Sequence, residues 1–192
     1  MVTPVKDQGS CGSCWAFAAV GHLESLFLIE AQVELDLSEQ QLVNCVYSRS
    51  GCNGGWMSTA YRHIIYRNRG IQTESQIPYT ASYGSCTRGG PYKIKSYTAK
   101  ARYSCEGLLS GLNTGPVAVA LSASGWGSYS SGIFSSCQTR INHGVLLVAV
   151  DADGNWRIKN SWGTGWGDSG FMWLPSGDSC RICKYSTELV SL

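Results

Sequence analysis

The chain has 192 residues with 23 Gly, 9 Cys, 7 Trp and 10 Tyr, and only 15% are charged, against roughly 25% in an average globular chain. That composition excludes a disordered or low-complexity chain, and the length suffices to bury roughly 70% of the unfolded surface. The formal net charge of +2 splits evenly, 8 basic against 7 acidic residues in 1–96 and 7 against 6 in 97–192, which argues against a nucleic-acid or membrane-surface binder.

In chain order, Val5 to Ser10 is polar and loop-like, and a long buried helix is expected from Cys14 to Glu30, apolar at nearly every turn and free of proline. Ser10, Gly12 and Ser13 supply N-cap chemistry, which places Cys14 at the helix N-terminus, where unpaired N–H groups favour a thiolate. Ser38-Glu39-Gln40-Gln41 resembles a capping box opening a short helix through Cys45. A further helix is expected from Trp56 to Asn68, closed by Gly70; its Arg62, Arg67 and Arg69 read as a solvated face or a docking patch. After about residue 95 the character changes to strand-like runs at 117–121, 144–150, 155–159 and 171–174, separated by Gly, Asp and Ser turns. The expected fold class is therefore α+β: a mainly helical lobe over 1–95, a β-rich lobe over 96–192, and a cleft between them. The apolar run Val145 to Val150 falls far short of the roughly 20 residues of a membrane span. Val2-Thr3-Pro4 follows Met1 without a basic and apolar leader, so an export signal is expected to be removed, absent or outside this stretch.

An odd number of cysteines leaves one outside any set of disulfides. They stand at 11, 14, 45, 52, 86, 105, 137, 180 and 183, and Cys11/Cys14 and Cys180/Cys183 have C-x-x-C spacing. Two zinc knuckles would stand near each other rather than at opposite ends of the chain, and a thioredoxin-like pair would follow a strand. Four disulfides plus one nucleophile account for all nine and point to an oxidising, secreted or vesicular compartment. A redox pair at Cys11 and Cys14, or an inactive binding protein, stays open as the alternative.

Gln8-Gly-Ser-Cys11-Gly-Ser-Cys14-Trp15 matches the C-G-[SA]-C-[WY] signature of papain-like cysteine peptidases. Gly51-Cys-Asn-Gly-Gly55, Asn142-His143-Gly144 and Asn160-Ser-Trp162-Gly-Thr-Gly-Trp-Gly167 extend the resemblance over nearly the whole chain. His143 and Asn160 follow Cys14 by 129 and 146 residues, against roughly 130–150 in that family. The chain thus resembles the papain and cathepsin L-like family, which implies the two-lobe papain-like fold, with a barrel-like second lobe, and a cysteine endopeptidase working through a thioester.

The resemblance implies Cys14 as nucleophile, His143 as its acid and base, Asn160 as the group that fixes the imidazole under Trp162, and Gln8 as an oxyanion donor. Gly54 and Gly55 would pair with an extended peptide, and Trp56, Met57, Ala120, Ile141, Asn142, Gly144, Trp162 and Tyr185 would complete the substrate site. The S2 pocket would be apolar and prefer a bulky hydrophobic P2 residue. The family pattern also implies bridges Cys11–Cys52, Cys45–Cys86 and Cys137–Cys180, leaving Cys105 with Cys183; Cys137–Cys183 with Cys105–Cys180 stays open. No metal or cofactor is implied. Polypeptide substrates, cystatin-type inhibitors and a propeptide are the implied partners of a monomer in a secreted, lysosomal or vacuolar compartment. Against the family pattern this stretch is expected to start late at Met1 and to lie outside the inhibitory propeptide, and Arg181 stands where the family has Gly after the cysteine aligned with Cys180.

Overall fold

The computed structural model describes residues 1–98 and 104–191. Helix α1 (Cys14–Glu30) runs through the middle of the molecule and is followed by α2 (Glu39–Cys45) and α3 (Met57–His63). A π-turn over Ile64–Asn68 continues α3, and Arg69, left-handed at φ 58°, ends it one residue before Gly70. The second half adds β1 (Ser96–Thr98), α4 (Cys105–Leu112), β2 (Val117–Leu121), β3 (His143–Val150), β4 (Trp156–Lys159), β5 (Phe171–Leu174) and β6 (Tyr185–Ser191). These strands form one antiparallel sheet in the order β1-β6-β2-β3-β4-β5. The sequence pattern misses β1, α4 and β6, because each is short or lacks an uninterrupted apolar run.

Two hydrophobic clusters meet at the sheet, and the two-residue period of a strand sorts its side chains between them. On β2, Ala118 and Ala120 join the cluster of α1, α2 and α3 around Trp15, Leu23, Leu42 and Tyr61, whereas Val117, Val119 and Leu121 face the opposite cluster. On β3, Leu146 faces the helices, and Val145 and Leu147 face away. That second cluster holds Trp126, Trp156, Ile158, Met172 and Leu174. Burial on both faces is why the central strands read as continuous apolar runs. Small residues on the helix-facing side let α1 approach: a Cβ on Gly144 would lie 3.2 Å from Met57 Sδ and 3.4 Å from Trp15 Cα.

The helix caps differ from the sequence expectation. Ser13 occupies the N-cap position of α1, but its hydroxyl bonds the Cys11 carbonyl (3.4 Å) and Tyr79 Oη (2.6 Å) and caps nothing. Ser38 does cap α2, accepting the Gln41 N–H at 3.0 Å. The Gln41 amide does not return to Ser38, so only half of the box forms; it donates to the Thr87 and Gly89 carbonyls and accepts from the Gln72 N–H instead.

All nine cysteines are described, and eight form the bridges Cys11–Cys52, Cys45–Cys86, Cys105–Cys183 and Cys137–Cys180. Neither C-x-x-C pair is joined within itself, so neither acts as a zinc knuckle or a redox dithiol. Cys14 is the free thiol.

Candidate active site

Cys14 is the first residue of α1, and the segment before it is clasped to the Gly51–Gly55 stretch. Gly12 N–H donates to the Cys52 carbonyl (2.8 Å), Gly54 N–H donates to the Gly12 carbonyl (3.1 Å), and Cys11–Cys52 crosses the same gap. The approach is too close for a side chain: a Cβ on Gly12 would stand 2.4 Å from the Cys52 carbonyl oxygen. Trp15 lies fully buried beneath and donates its indole N–H to the Gly51 carbonyl at 3.0 Å. The first two glycine-bearing motifs of the sequence are thus two halves of one clasp that fixes Cys14.

Gln8 is buried against the same clasp, and hydrogen bonds fix both its side chain and its backbone, whose carbonyl accepts from Tyr79 Oη at 2.8 Å. Its Nε2 donates to the Cys11 carbonyl (3.0 Å), its Oε1 accepts from Ser161 Oγ (2.8 Å), and its backbone N–H donates to the Ser161 carbonyl (2.8 Å). An amide carries two N–H donors, so one remains outside this set.

From the sheet, His143 opens β3 and Asn160 follows β4. His143 Nε2 lies 2.8 Å from Asn160 Oδ1. The same oxygen accepts the Ser161 N–H at 2.8 Å, which identifies it as an acceptor. Nε2 therefore carries the proton and Nδ1 is the nitrogen left for exchange. Trp162 covers the imidazole with ring centroids 5.0 Å apart, and Trp126 meets it edge-on at 6.0 Å. Trp126 stands in no motif; its indole stacks at 6.3 Å on Trp166, whose own N–H donates to the Trp126 carbonyl.

Cys14 and His143 line one open cavity of about 410 Å³ together with Gly54, Gly55, Trp56, Met57, Ala120, Ile141, Asn142 and Gly144. The sequence reading brings all of these together but misses Tyr47 and Asn53, which also line it. Tyr47 packs edge-on against Trp15 at 5.1 Å, and its hydroxyl accepts the Trp56 N–H at 3.0 Å. Only its position just past α2 marks it in the sequence. Tyr185 is not in the lining; it stands at the rim, paired across strands with Ala120 and 5.2 Å from the Trp56 ring. Gly54 uses its N–H within the clasp, so the open backbone groups are those of Gly55, where a Cβ would come within 2.5 Å of Tyr47 and 2.7 Å of Trp15. The Asn142 side-chain amide accepts the Ala123 N–H at 2.9 Å.

Burial opposes charge at both reactive groups. It pushes the Cys14 thiol up, outweighing the backbone N–H groups of Gly144, Trp15 and Cys14 that favour a thiolate. It pushes the His143 imidazole down to about 4, although the bond to Asn160 works the other way. The backbone N–H groups at the helix terminus favour the thiolate, as expected, and burial works against them. A proton passed from sulfur to imidazole replaces two neutral groups by an ion pair, so the two titrate together.

Beneath the cleft, Lys6 Nζ meets Glu24 (2.9 Å), Asp36 (2.7 Å) and Glu39 (2.9 Å). Burial pushes Lys6 down, but Glu39, Glu24 and Asp36 outweigh it and hold the amine protonated. With one ammonium among these carboxylates, burial and the Glu24 charge push Glu39 up to about 8. Lys159, next to Asn160, donates to Thr3 Oγ1 at 3.1 Å, and burial pushes it down to about 8.

A family-wide sequence profile described as "Papain family cysteine protease" matches residues 1–191. The chain is 45% identical over 184 residues to Cathepsin L 2 of Paramecium tetraurelia, covering 93% of this chain and 57% of that protein. It is 40% identical over 182 residues to Ananain of Ananas comosus, covering 90% and 52%. The chain thus spans a little over half the length of these curated relatives. The solved bromelain protease from Ananas comosus, in complex with the E64 inhibitor, superposes with a TM-score of 0.91 at 33% identity, covering 100% of this chain and 94% of that one.

Proposed function

The chain belongs to the papain family of cysteine proteases, and from that premise we propose that it hydrolyses internal peptide bonds through a thioester acyl-enzyme. Residues 1–95 and 96–192 form two lobes of one catalytic domain, each contributing part of the site. The Cys14 proton moves to His143 Nδ1, and the thiolate attacks the scissile carbonyl carbon. The oxyanion accepts the remaining Gln8 Nε2–H and the Cys14 backbone N–H. His143 then gives its proton to the leaving amine, takes one from water, and the hydroxide cleaves the thioester to release the acid and restore the thiol. Asn160 holds the ring under Trp162 throughout.

The observation that carries this reading is the free Cys14 in one cavity with a histidine whose tautomer Asn160 fixes. Gly55 would pair with the extended substrate backbone, and Trp56, Met57, Ala120, Ile141 and Gly144 form an S2 pocket without charge, with Tyr185 at its rim. A bulky hydrophobic P2 residue is therefore preferred and Arg is poorly accepted. Cystatin-type inhibitors and a propeptide would fill the same cleft of a monomer, and four disulfides fit a secreted or lysosomal compartment. The test is alkylation of the unreduced protein with iodoacetamide between pH 4 and 9, followed by peptide mapping. Single fast modification at Cys14 near pH 5–6 is expected. Modification only above pH 8, as for an ordinary thiol, would overturn the ion-pair mechanism.

A further inference from the structure

Between residues 40 and 73 the chain carries Arg49, Arg62, Arg67 and Arg69 and neither Asp nor Glu; Glu74 is the one acid before Arg88. The even charge of the two halves conceals this segregation, because Glu24, Asp36 and Glu39 gather around Lys6 instead. An open groove of about 590 Å³ lies along α3 and the π-turn, lined by Val46, Thr59, Arg62, His63, Tyr66 and Arg67, none of which lines the catalytic cavity. Arg62 and Arg67 are exposed and make no ion pair among the described residues. A hydrated arginine face is ordinary, but His63 is not part of one. It is 9% exposed, and its Nε2 is buried without a hydrogen-bond partner. Tyr66, 70% exposed, presents an aromatic ring beside the two guanidinium groups.

We propose that this groove is a second binding site, taking an acidic segment of a polypeptide substrate through Arg62 and Arg67, above the buried His63. The polypeptide identity rests on the peptidase reading above; the acidic chemistry rests on the groove. Guanidinium groups pair bidentately with carboxylates, and Val46, Tyr66 and Thr59 offer the mixed apolar and polar surface a peptide needs between its charges. The groove would raise the local concentration of proteins carrying an acidic tract without changing the bond cleaved. His63 adds a pH dependence. Arg67 from the π-turn and Arg88 from the following loop bear on its ring, Arg62 stands on its own helix, and the uncharged Val46 just past α2 also lines the groove. Burial and those cations push the imidazole down. A bound carboxylate pushes it back up, so binding takes up a proton and tightens as pH falls toward 5.5, where glutamates remain ionised.

The experiment is fluorescence polarisation of a labelled ten-residue glutamate peptide against the intact protein at low ionic strength. Binding is expected to weaken about tenfold in Arg62→Ser/Arg67→Ser and to stay within about twofold in the distant Arg140→Ser control. Affinity should rise between pH 7.5 and 5.5, and His63→Gln should flatten that rise. No binding of the glutamate peptide, or equal loss in the double variant and the control, overturns the groove as a site. In parallel, a short peptide with a hydrophobic P2 residue is assayed with and without an appended glutamate tract. A lower KM for the tract, lost in Arg62→Ser/Arg67→Ser, supports the proposal. Equal KM overturns it while leaving the peptidase reading intact, and failure to cleave either peptide sinks the peptidase reading itself.

Discussion

The two sides of the cleft are held by different chemistry. On the sheet side, backbone ladders run through six strands, and Trp126, Tyr129, Phe134, Trp162 and Trp166 pack against one another. On the helix side, a long loop is hung from a row of buried amides. Gln40 accepts the Thr80 N–H and donates to the Ser82 carbonyl; Asn44 accepts the Gly84 N–H and donates to the Ser85 carbonyl; Asn68 accepts the Gly89 N–H. A ladder is redundant, so one lost bond leaves its neighbours in place. The 80–89 loop hangs from several separate side chains and the Cys45–Cys86 bridge, so each lost amide frees only its own stretch, and a buried group left unpaired there costs about 1–3 kcal/mol.

Substitutions test that difference, and the largest effects fall where both sides meet. Cys14→Ala is expected to lower turnover by about 10⁴-fold or more, with an unchanged circular dichroism spectrum. Gln8→Ala should lower kcat by ~10²–10³ while Cys14 remains alkylatable, because the oxyanion loses one donor and the thiol keeps its site. Steady-state kinetics beside iodoacetamide mapping separates the two.

Stability comes next. Trp126→Ala removes the centre of the aromatic cluster and should cost about 3–5 kcal/mol, speeding amide exchange everywhere. Gln41→Ala strands the Gln72 N–H and the Thr87 and Gly89 carbonyls, so exchange should speed in 72–89 and stay slow in β2 and β3. Uniform exchange in both variants would erase the contrast between the two sides.

A pH effect on the helix side is smaller at neutrality. His22 is buried on α1 against Tyr61 Oη at 3.0 Å, and burial pushes it down to about 3. The unfolded chain binds a proton there below about 6.5 and the folded chain does not until about 3, so stability falls as pH drops through that window. His22→Gln should flatten that part of a denaturation-versus-pH curve. Smallest of all is Arg181→Gly. Arg181 sits left-handed at φ 64°, directly after Cys180 at φ 52°. Glycine there should stabilise by about 0.5–1 kcal/mol, visible as a modest rise in Tm, after its larger unfolded-state entropy and the loss of the exposed Asp178 pair are set against the relieved strain.

The contrast between the sides also explains what the sequence made legible. The strands of the sheet side announce themselves as apolar runs because both of their faces are buried, and α1 does so because it is enclosed almost all round. Gln40, Gln41 and Asn44 carry no such signal. A polar residue on a short helix reads as solvent-facing, and nothing local reveals that loop carbonyls forty residues later complete it. The motifs single out Cys14, His143, Asn160 and Gln8, yet Trp126 and Tyr47 act through packing that only the fold brings about. Even charge across halves likewise hides the arginine groove, since acids and bases close in sequence separate in space.

Cys11 stands three residues from Cys14 but is bridged to Cys52, across the Gly12 clasp. A molecule that oxidises locally, joining Cys11 to Cys14, loses its nucleophile and strands Cys52 with no partner nearby. The last free sulfhydryl is therefore a record of how the chain was oxidised. In a refolding mixture, the fraction of chains labelled at position 14 and nowhere else sets an upper bound on the yield of correctly paired protein, because every pairing of the other eight cysteines leaves that thiol free.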